Sequence, residues 1–131
     1  MDDEQMRPFA FVLAVKDLDA SAAYARDALG FTLGWAEMTG WRLLTRGAVR
    51  LMMGHCPDAL PAAETGDHSW FGYLEVDDID ALHAEFAARG ALILNPPSDR
   101  PHGMREMVVA FPEGHRLMLA QALDHANGTM E

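Results

Sequence analysis

The chain has 131 residues, half of them hydrophobic, and a formal net charge of −10. This length suits one compact unit with a real core. The negative charge disfavours nucleic acid and anionic membranes, which bind through Lys and Arg, and it favours a neutral or cationic small ligand. An acidic surface that only maintains solubility is the alternative. The single cysteine, Cys56, excludes an intrachain disulfide and favours a reducing compartment.

The first residues, MDDEQ, are acidic and lack the basic and apolar regions of a signal peptide. No apolar run approaches the roughly 18 residues that a membrane-spanning helix needs. We therefore expect a cytoplasmic protein that binds neither membrane nor nucleic acid.

The first half of the chain predicts the order β-α-β-β-β. Residues 9–15 are mostly apolar and rich in strand formers, and Asp17 then offers a cap for a helix that Gly30 ends. Glycine-containing turns separate the three strands that follow, which are predicted over residues 32–36, 41–45 and 49–53.

The second half predicts the same order. A strand over residues 70–76 leads into a helix that begins at Asp77 and Asp78 and ends before Gly90. Three further strands, over residues 91–94, 105–111 and 116–121, are separated by a Pro-rich loop and by the turn Pro-Glu-Gly-His.

The two halves are related in sequence. Residues 15–20 correspond to residues 76–81 at a shift of 61, and residues 50–53 correspond to residues 116–119 at a shift of 66. The change in shift places an insertion in the second half, in the Pro-rich loop. We interpret the chain as a duplicated module, with a first module over residues 1–54, a linker over 55–68, a second module over 69–122 and a tail over 123–131.

Three motifs point to a known family. Each half has Val-x-Asp before its helix, the first helix ends in Ala-Leu-Gly-Phe, and Phe-Pro-Glu-Gly-His-Arg-Leu precedes the last strand. This pattern, over residues 8–122, resembles the vicinal oxygen chelate superfamily, which includes glyoxalase I, extradiol dioxygenases, and fosfomycin and bleomycin resistance proteins. Gly40-Trp41, Arg46-Gly47 and Ser69-Trp70-Phe71 are most similar to the bleomycin-binding branch.

The resemblance implies an α+β fold of two βαβββ modules, whose curled mixed sheets form a shared cavity, and it implies a homodimer. The positions that hold the metal ion in the enzymes of the superfamily correspond here to Ala10, Met52, Phe71 and Met118. A methyl group, a phenyl ring and thioethers cannot bind a hard divalent cation. We therefore expect no metal at this site and no cofactor.

Alternate residues of a strand share one face, so parity predicts which side chains line the cavity. The predicted walls are Ala10, Val12 and Ala14; Phe71, Tyr73 and Glu75; Arg50, Met52 and Gly54; and Arg116, Met118 and Ala120. The candidate ligand-binding residues are Trp41, Arg50, Met52, Trp70, Phe71, Tyr73, His102 and Met118. The alternatives are that the methionines and Phe71 fill a closed core and that the arginines are solvated or ion-paired.

These features predict a metal-free protein that binds an aromatic or cationic small molecule, such as a bleomycin-type antibiotic, and sequesters it. The first alternative is a lyase or dioxygenase-like enzyme that uses Glu75 or a non-standard metal site. Such a site would combine His55, His68 or His102 with Glu106, although no histidines have the spacing of a metal motif. The second alternative is a sensor or structural partner with a filled core.

Overall fold

The computed structural model describes residues 5–123, for Asp67 the backbone alone. The predicted tail, except Leu123, and the acidic opening, except Gln5, lie outside this range. Two halves of the same βαβββ order follow each other. The first comprises β1 (Phe11–Val15), α1 (Leu18–Leu29), β2 (Thr32–Gly34), β3 (Trp41–Arg46) and β4 (Val49–His55). The second comprises β5 (Trp70–Glu75), α2 (Ile79–Arg89), β6 (Leu92–Asp99), β7 (Met104–Ala110) and β8 (Arg116–Ala122).

Both helices begin and end where the sequence predicts. The carboxylate of Asp17 accepts a hydrogen bond from the backbone N–H of Ala20, and Asp78 caps α2 in the same way. Gly30 and Gly90 end the helices with φ values of 76° and 83°, a left-handed conformation that costs glycine little. Within residues 5–123, no helix is both long and apolar enough to cross a membrane.

Each half forms one four-stranded mixed sheet, and the two sheets are not closed into a barrel. The strand orders are β1-β4-β3-β2 and β5-β8-β7-β6, with the first pair of each sheet parallel and the others antiparallel. Val12 pairs with Met52, and the equivalent Tyr73 pairs with Met118. The predicted fold class and the duplicated architecture are therefore confirmed.

The helices cover one side of the sheets, and a single hydrophobic core lies beneath them. Residues that parity predicts to face the helices are buried, among them Leu13, Val15, Leu51, Met53, Leu117 and Leu119. They pack in one cluster with side chains of both helices, such as Ala25, Leu29, Ile79 and Phe86. Alternate strand residues therefore lie on the opposite side of each sheet, which we call the open face.

The bounds of several strands differ from the prediction, and the differences at β6 and β2 have a visible cause. The strand predicted over residues 91–94 continues to Asp99, through Pro96 and Pro97, where a loop was expected. β6 is an edge strand with two register shifts. Proline has no N–H to donate, and at the edge of a sheet this removes no hydrogen bond from an interior strand pair. Conversely, β2 ends at Gly34, because Trp35 adopts a φ of 58° and leaves the extended conformation.

The linker contains a 3₁₀ segment over Ala62–His68, interrupted by a non-helical Gly66. Its Ala63 donates a backbone hydrogen bond to the carbonyl of Glu113, in the turn between β7 and β8. This contact fixes the linker against the second half.

The turn between β7 and β8 also connects the two halves directly. The carboxylate of Glu113 accepts hydrogen bonds of 2.8 to 2.9 Å from the backbone N–H groups of Lys16 and Asp17, at the junction between β1 and α1. Nε2 of His115 lies 3.1 Å from the carbonyl oxygen of Ala14, to which it donates. Residues far apart in sequence thereby hold the two sheets in one arrangement.

Candidate functional site

The open face of the second sheet carries a groove of about 610 Å³. A volume of this size is within the range that protein sites use for small molecules. The residues that line it are Trp70, Asn95, Pro96, Pro97, Ser98, Arg100, Glu106, Val108, Arg116 and Met118. All of them belong to the second half, and all except Arg100 lie on the four strands of its sheet.

Glu106 is the most unusual side chain of the groove. It lies on β7 between Ala120 of β8 and Ser98 of β6, and only 8% of it is exposed. Its Oε2 lies 2.7 Å from the hydroxyl of Tyr73, which donates a hydrogen bond, and 2.7 Å from Nε2 of His102. A carboxylate held in this way is positioned for a ligand without further rearrangement.

The contact with Glu106 changes the acidity of Tyr73. Its pKa is raised to about 12, first because the hydroxyl is removed from water and second because it donates to the Glu106 carboxylate. Ionisation would place a phenolate beside a carboxylate. Tyr73 therefore stays a neutral hydrogen-bond donor near neutral pH.

The same groove is also lined by an aromatic side chain and a thioether. Trp70 is half exposed at the start of β5, and its ring lies edge-on to that of His68 at a centroid distance of 5.4 Å. Met118 is partly buried in the adjacent strand. An indole and a thioether offer a flat, polarisable contact for a ring.

The first sheet presents a different surface. The ring of Trp41 lies across Gly54, where an added Cβ would come within 2.9 Å of the indole. Arg50 stacks on the ring of Phe9 at 4.7 Å from its centroid. Met52 is partly buried between the neighbouring strands. The candidate residues Trp41, Arg50 and Met52 therefore lie on the first sheet, whereas the groove lies on the second.

Phe71 differs from the parity prediction. The pairing of β5 with β8 shifts between Trp70 and Gly72, so that Phe71 lies at a bulge. Its ring packs edge-on against Phe11 and Phe111, at centroid distances of 6.1 and 5.4 Å, beside the core. Tyr73 and Glu75 keep the predicted open face. A ligand-binding role for Phe71 stays a prediction.

The structure brings Trp70, Tyr73, His102 and Met118 of the predicted set close to the groove. The sequence predicts for Glu106 only a role as a partner in a metal site. The signal that could have placed it was present, because Met107 and Val109 face the core and Glu106 and Val108 therefore face the other side. Asn95 and Ser98 were missed because β6 was predicted to end at residue 94.

The positions that the family resemblance assigns to a metal ion do not fit one. Ala10, Met52, Phe71 and Met118 offer no nitrogen or oxygen from a side chain. In the part of the chain that the structure describes, no three His, Cys, Asp or Glu side chains converge as a metal centre requires. His125 lies outside the described residues. Glu75, the candidate base, is exposed on β5.

The paired βαβββ modules and their open sheets define the class of protein. The chain belongs to the Glyoxalase/Bleomycin resistance protein/Dioxygenase superfamily, whose model matches residues 7–119. This confirms the family resemblance. No curated protein is similar enough in sequence to count as a match.

Solved structures share this fold. TioX from Micromonospora sp. ML1 is similar with 25% identity and a TM-score of 0.70, covering 90% of this chain and 100% of its own. A bleomycin-binding protein complexed with bleomycin has 22% identity and a TM-score of 0.73, covering 88% and 98%. TnmS3, an antibiotic binding protein from Streptomyces sp. CB03234, has 22% identity and a TM-score of 0.71, covering 89% and 96%.

Proposed function

We propose that this protein binds an aromatic or cationic small molecule, of the bleomycin-antibiotic type, without a metal ion and sequesters it. The groove of about 610 Å³ on the second sheet carries this proposal, because it combines an exposed indole with one buried carboxylate. Structural neighbours that bind antibiotics support it. Sequestration requires affinity and no turnover, so side chains that cannot hold a metal ion are compatible with it.

Titration with metal-free bleomycin, followed by tryptophan fluorescence, tests this function. We expect saturable binding, because Trp70 lines the groove and half of its surface is exposed. The variant Trp70→Leu lacks this reporter, so its affinity is measured by isothermal titration calorimetry. It removes a ring contact worth about 0.5–1.5 kcal/mol, so it should weaken binding by roughly 2- to 12-fold.

The matched control is Leu60→Ser, which changes an exposed apolar residue of the linker. It should bind as the wild type does. If bleomycin and related glycopeptides give no saturable response, the antibiotic-binding function is wrong. If Leu60→Ser weakens binding as much as Trp70→Leu does, the groove is not the site.

We also propose that the protein is a homodimer. Large apolar side chains are exposed on or beside the sheets, including Phe9, Val12, Leu92 and Leu94, and 61% of Val12 is accessible. A second copy would cover such surface and complete the site that the open sheets leave accessible. Light scattering at micromolar concentration should give twice the chain mass of 14.4 kDa, and a strict monomer would count against the dimer.

The contact between His102 and Glu106 favours a second candidate function. A carboxylate that orients an imidazole is a common arrangement for moving a proton, so an enzyme of the same superfamily remains the alternative. Elemental analysis of protein purified after growth with zinc, iron, manganese and nickel separates the two candidates. Stoichiometric metal that is lost in His102→Asn would favour the enzyme.

A further inference from the structure

Among the side chains that the structure describes, Glu106 is the only ionisable one that is buried, and it lines the groove. The cost of burying a carboxylate is offset only where hydrogen bonds or opposite charges compensate for lost water. Tyr73 and His102 compensate for the lost water at only one oxygen of Glu106, because both contact Oε2. A carboxylate has room for further donors on its second oxygen.

The second oxygen is the one with the weaker contact. Oε1 lies 4.0 Å from Nε of Arg100, which is too far for a hydrogen bond. The side chain of Arg100 is 53% exposed, whereas that of Glu106 is almost entirely buried. A donor that enters the groove would therefore find an acceptor already held in place by Tyr73 and His102.

We propose that Glu106 recognises a protonated amine attached to a flat aromatic ring, with the ring beside Trp70 and Met118. This inference rests on the proposed ligand-binding function and names the chemical class of its ligand. The ammonium group would donate to Oε1, and the ring would contact the indole and the thioether. The hydrogen bonds from Tyr73 and His102 fix the carboxylate before the ligand arrives, which lowers the entropic cost of binding.

Two arginines line the same groove, and they would attract an anionic ligand instead. Arg100 is mostly solvated, so water and salt screen its charge more than they screen that of buried Glu106. Arg116 is already engaged in an interaction of its own. The formal charge of −10 also attracts cations to the protein as a whole. The screening of Arg100 and the negative charge of the protein favour the ammonium over a carboxylate.

The test uses three probes that share one ring, 2-naphthylmethylamine, 2-naphthalenemethanol and 2-naphthoate, together with metal-free bleomycin. Isothermal titration calorimetry should rank the amine above the alcohol and the alcohol above the carboxylate. The variant Glu106→Gln should weaken binding of the amine by about 10- to 150-fold, the range for a hydrogen bond to a charged group. It should leave the alcohol within a few-fold of the wild type.

Glu37→Gln is the matched control, because it removes one negative charge from an exposed turn of the first half. It should leave the binding of all three probes unchanged. Retained binding of the alcohol by Glu106→Gln, with an unchanged near-ultraviolet circular dichroism spectrum, shows that this variant folds.

The proposal is overturned if the carboxylate binds as tightly as the amine, or if Glu106→Gln weakens the alcohol as much as the amine. It is also overturned if bleomycin binds and none of the three ring probes does, because the groove then does not accept a flat ring. Failure of bleomycin together with every probe would overturn the ligand-binding function itself. Binding of all probes without preference would remove only the role of Glu106.

Discussion

The contact between Glu113 and the start of the first helix makes a quantitative prediction about stability. Glu113 lies in the turn between β7 and β8, and its carboxylate accepts from the backbone N–H groups of Lys16 and Asp17 in the other half of the chain. The variant Glu113→Ala removes these contacts while it leaves the backbone of the turn unchanged. We expect it to destabilise the whole fold, because the contact joins residues almost 100 positions apart.

The magnitude follows from two donors. Hydrogen bonds to a charged group contribute about 1.5–3 kcal/mol each where they are buried, but these are solvent-accessible, so we take about 1 kcal/mol for each. A negative charge near the N-terminus of a helix adds about 0.3–1 kcal/mol. The loss for Glu113→Ala is then about 2–3 kcal/mol. Glu113→Gln keeps one acceptor oxygen and should lose roughly half of this.

Equilibrium unfolding in urea, followed by circular dichroism, measures these differences. Glu37→Gln serves as the control for the loss of one negative charge and should lie within about 0.5 kcal/mol of the wild type. A free energy of unfolding for Glu113→Ala that is also within about 0.5 kcal/mol of the wild type would refute the reasoning. It would mean that water replaces the carboxylate at no cost.

Three further predictions follow from other parts of the structure. Gly114→Ala should lower the free energy of unfolding by at least about 3 kcal/mol, because the new Cβ would lie 2.5 Å from the backbone of the linker. Gly40→Ala has a similar positive φ but open space around the new Cβ, so it should lose only about 1–2 kcal/mol. Urea unfolding measures both. Burial lowers the pKa of His115, so the unfolded chain takes up a proton first as the pH falls below about 6.5. The free energy of unfolding should therefore decrease from about pH 7.5 to about pH 5.5, the range in which histidine titrates. The decrease should be smaller in His115→Asn, and an unchanged pH dependence in this variant would contradict the reasoning. NMR of ¹³C-labelled tyrosine should give a pKa of about 12 for Tyr73, and Glu106→Gln should lower it; a value that does not respond would show that the hydrogen bond is absent.

The tautomer of His115 explains why its protonation is unfavourable. Nε2 faces the carbonyl oxygen of Ala14, so it carries the proton and donates. Nδ1 is buried and has no hydrogen-bond partner in the described part of the chain. Protonation would place an N–H there without an acceptor.

Local signals in the sequence were sufficient for the helices and for the order of elements. The side chains of Asp17 and Asp78 accept hydrogen bonds from the N–H groups three residues later, so each helix start depends on a few neighbouring residues. The same holds for the helix ends, because Gly30 and Gly90 adopt a left-handed conformation that glycine adopts readily. The extent of β6 depended instead on its place at the edge of a sheet, which no local pattern contains.

The site was predictable only in part, for a related reason. Period two was enough to place Tyr73 and Met118 on the open face, because their pairing is regular. The bulge at Phe71 reverses the parity of that residue, and a bulge is a property of two strands together. The same period could have identified Glu106, but its position mattered only once β6 was known to continue beside it.

Differences between the two halves explain why the groove belongs to one of them. Trp41 pairs with Gly54 in the first sheet, and at the equivalent position Glu106 pairs with Ala120 in the second. The two halves repeat their apolar residues on the side of the helices, since Leu51 corresponds to Leu117 and Met53 to Leu119. They differ on the open face, where Val12, Ala14 and Trp41 correspond to Tyr73, Glu75 and Glu106. The core that maintains the fold is therefore common to both halves, while the polar groups that we propose to bind a ligand lie in the second half.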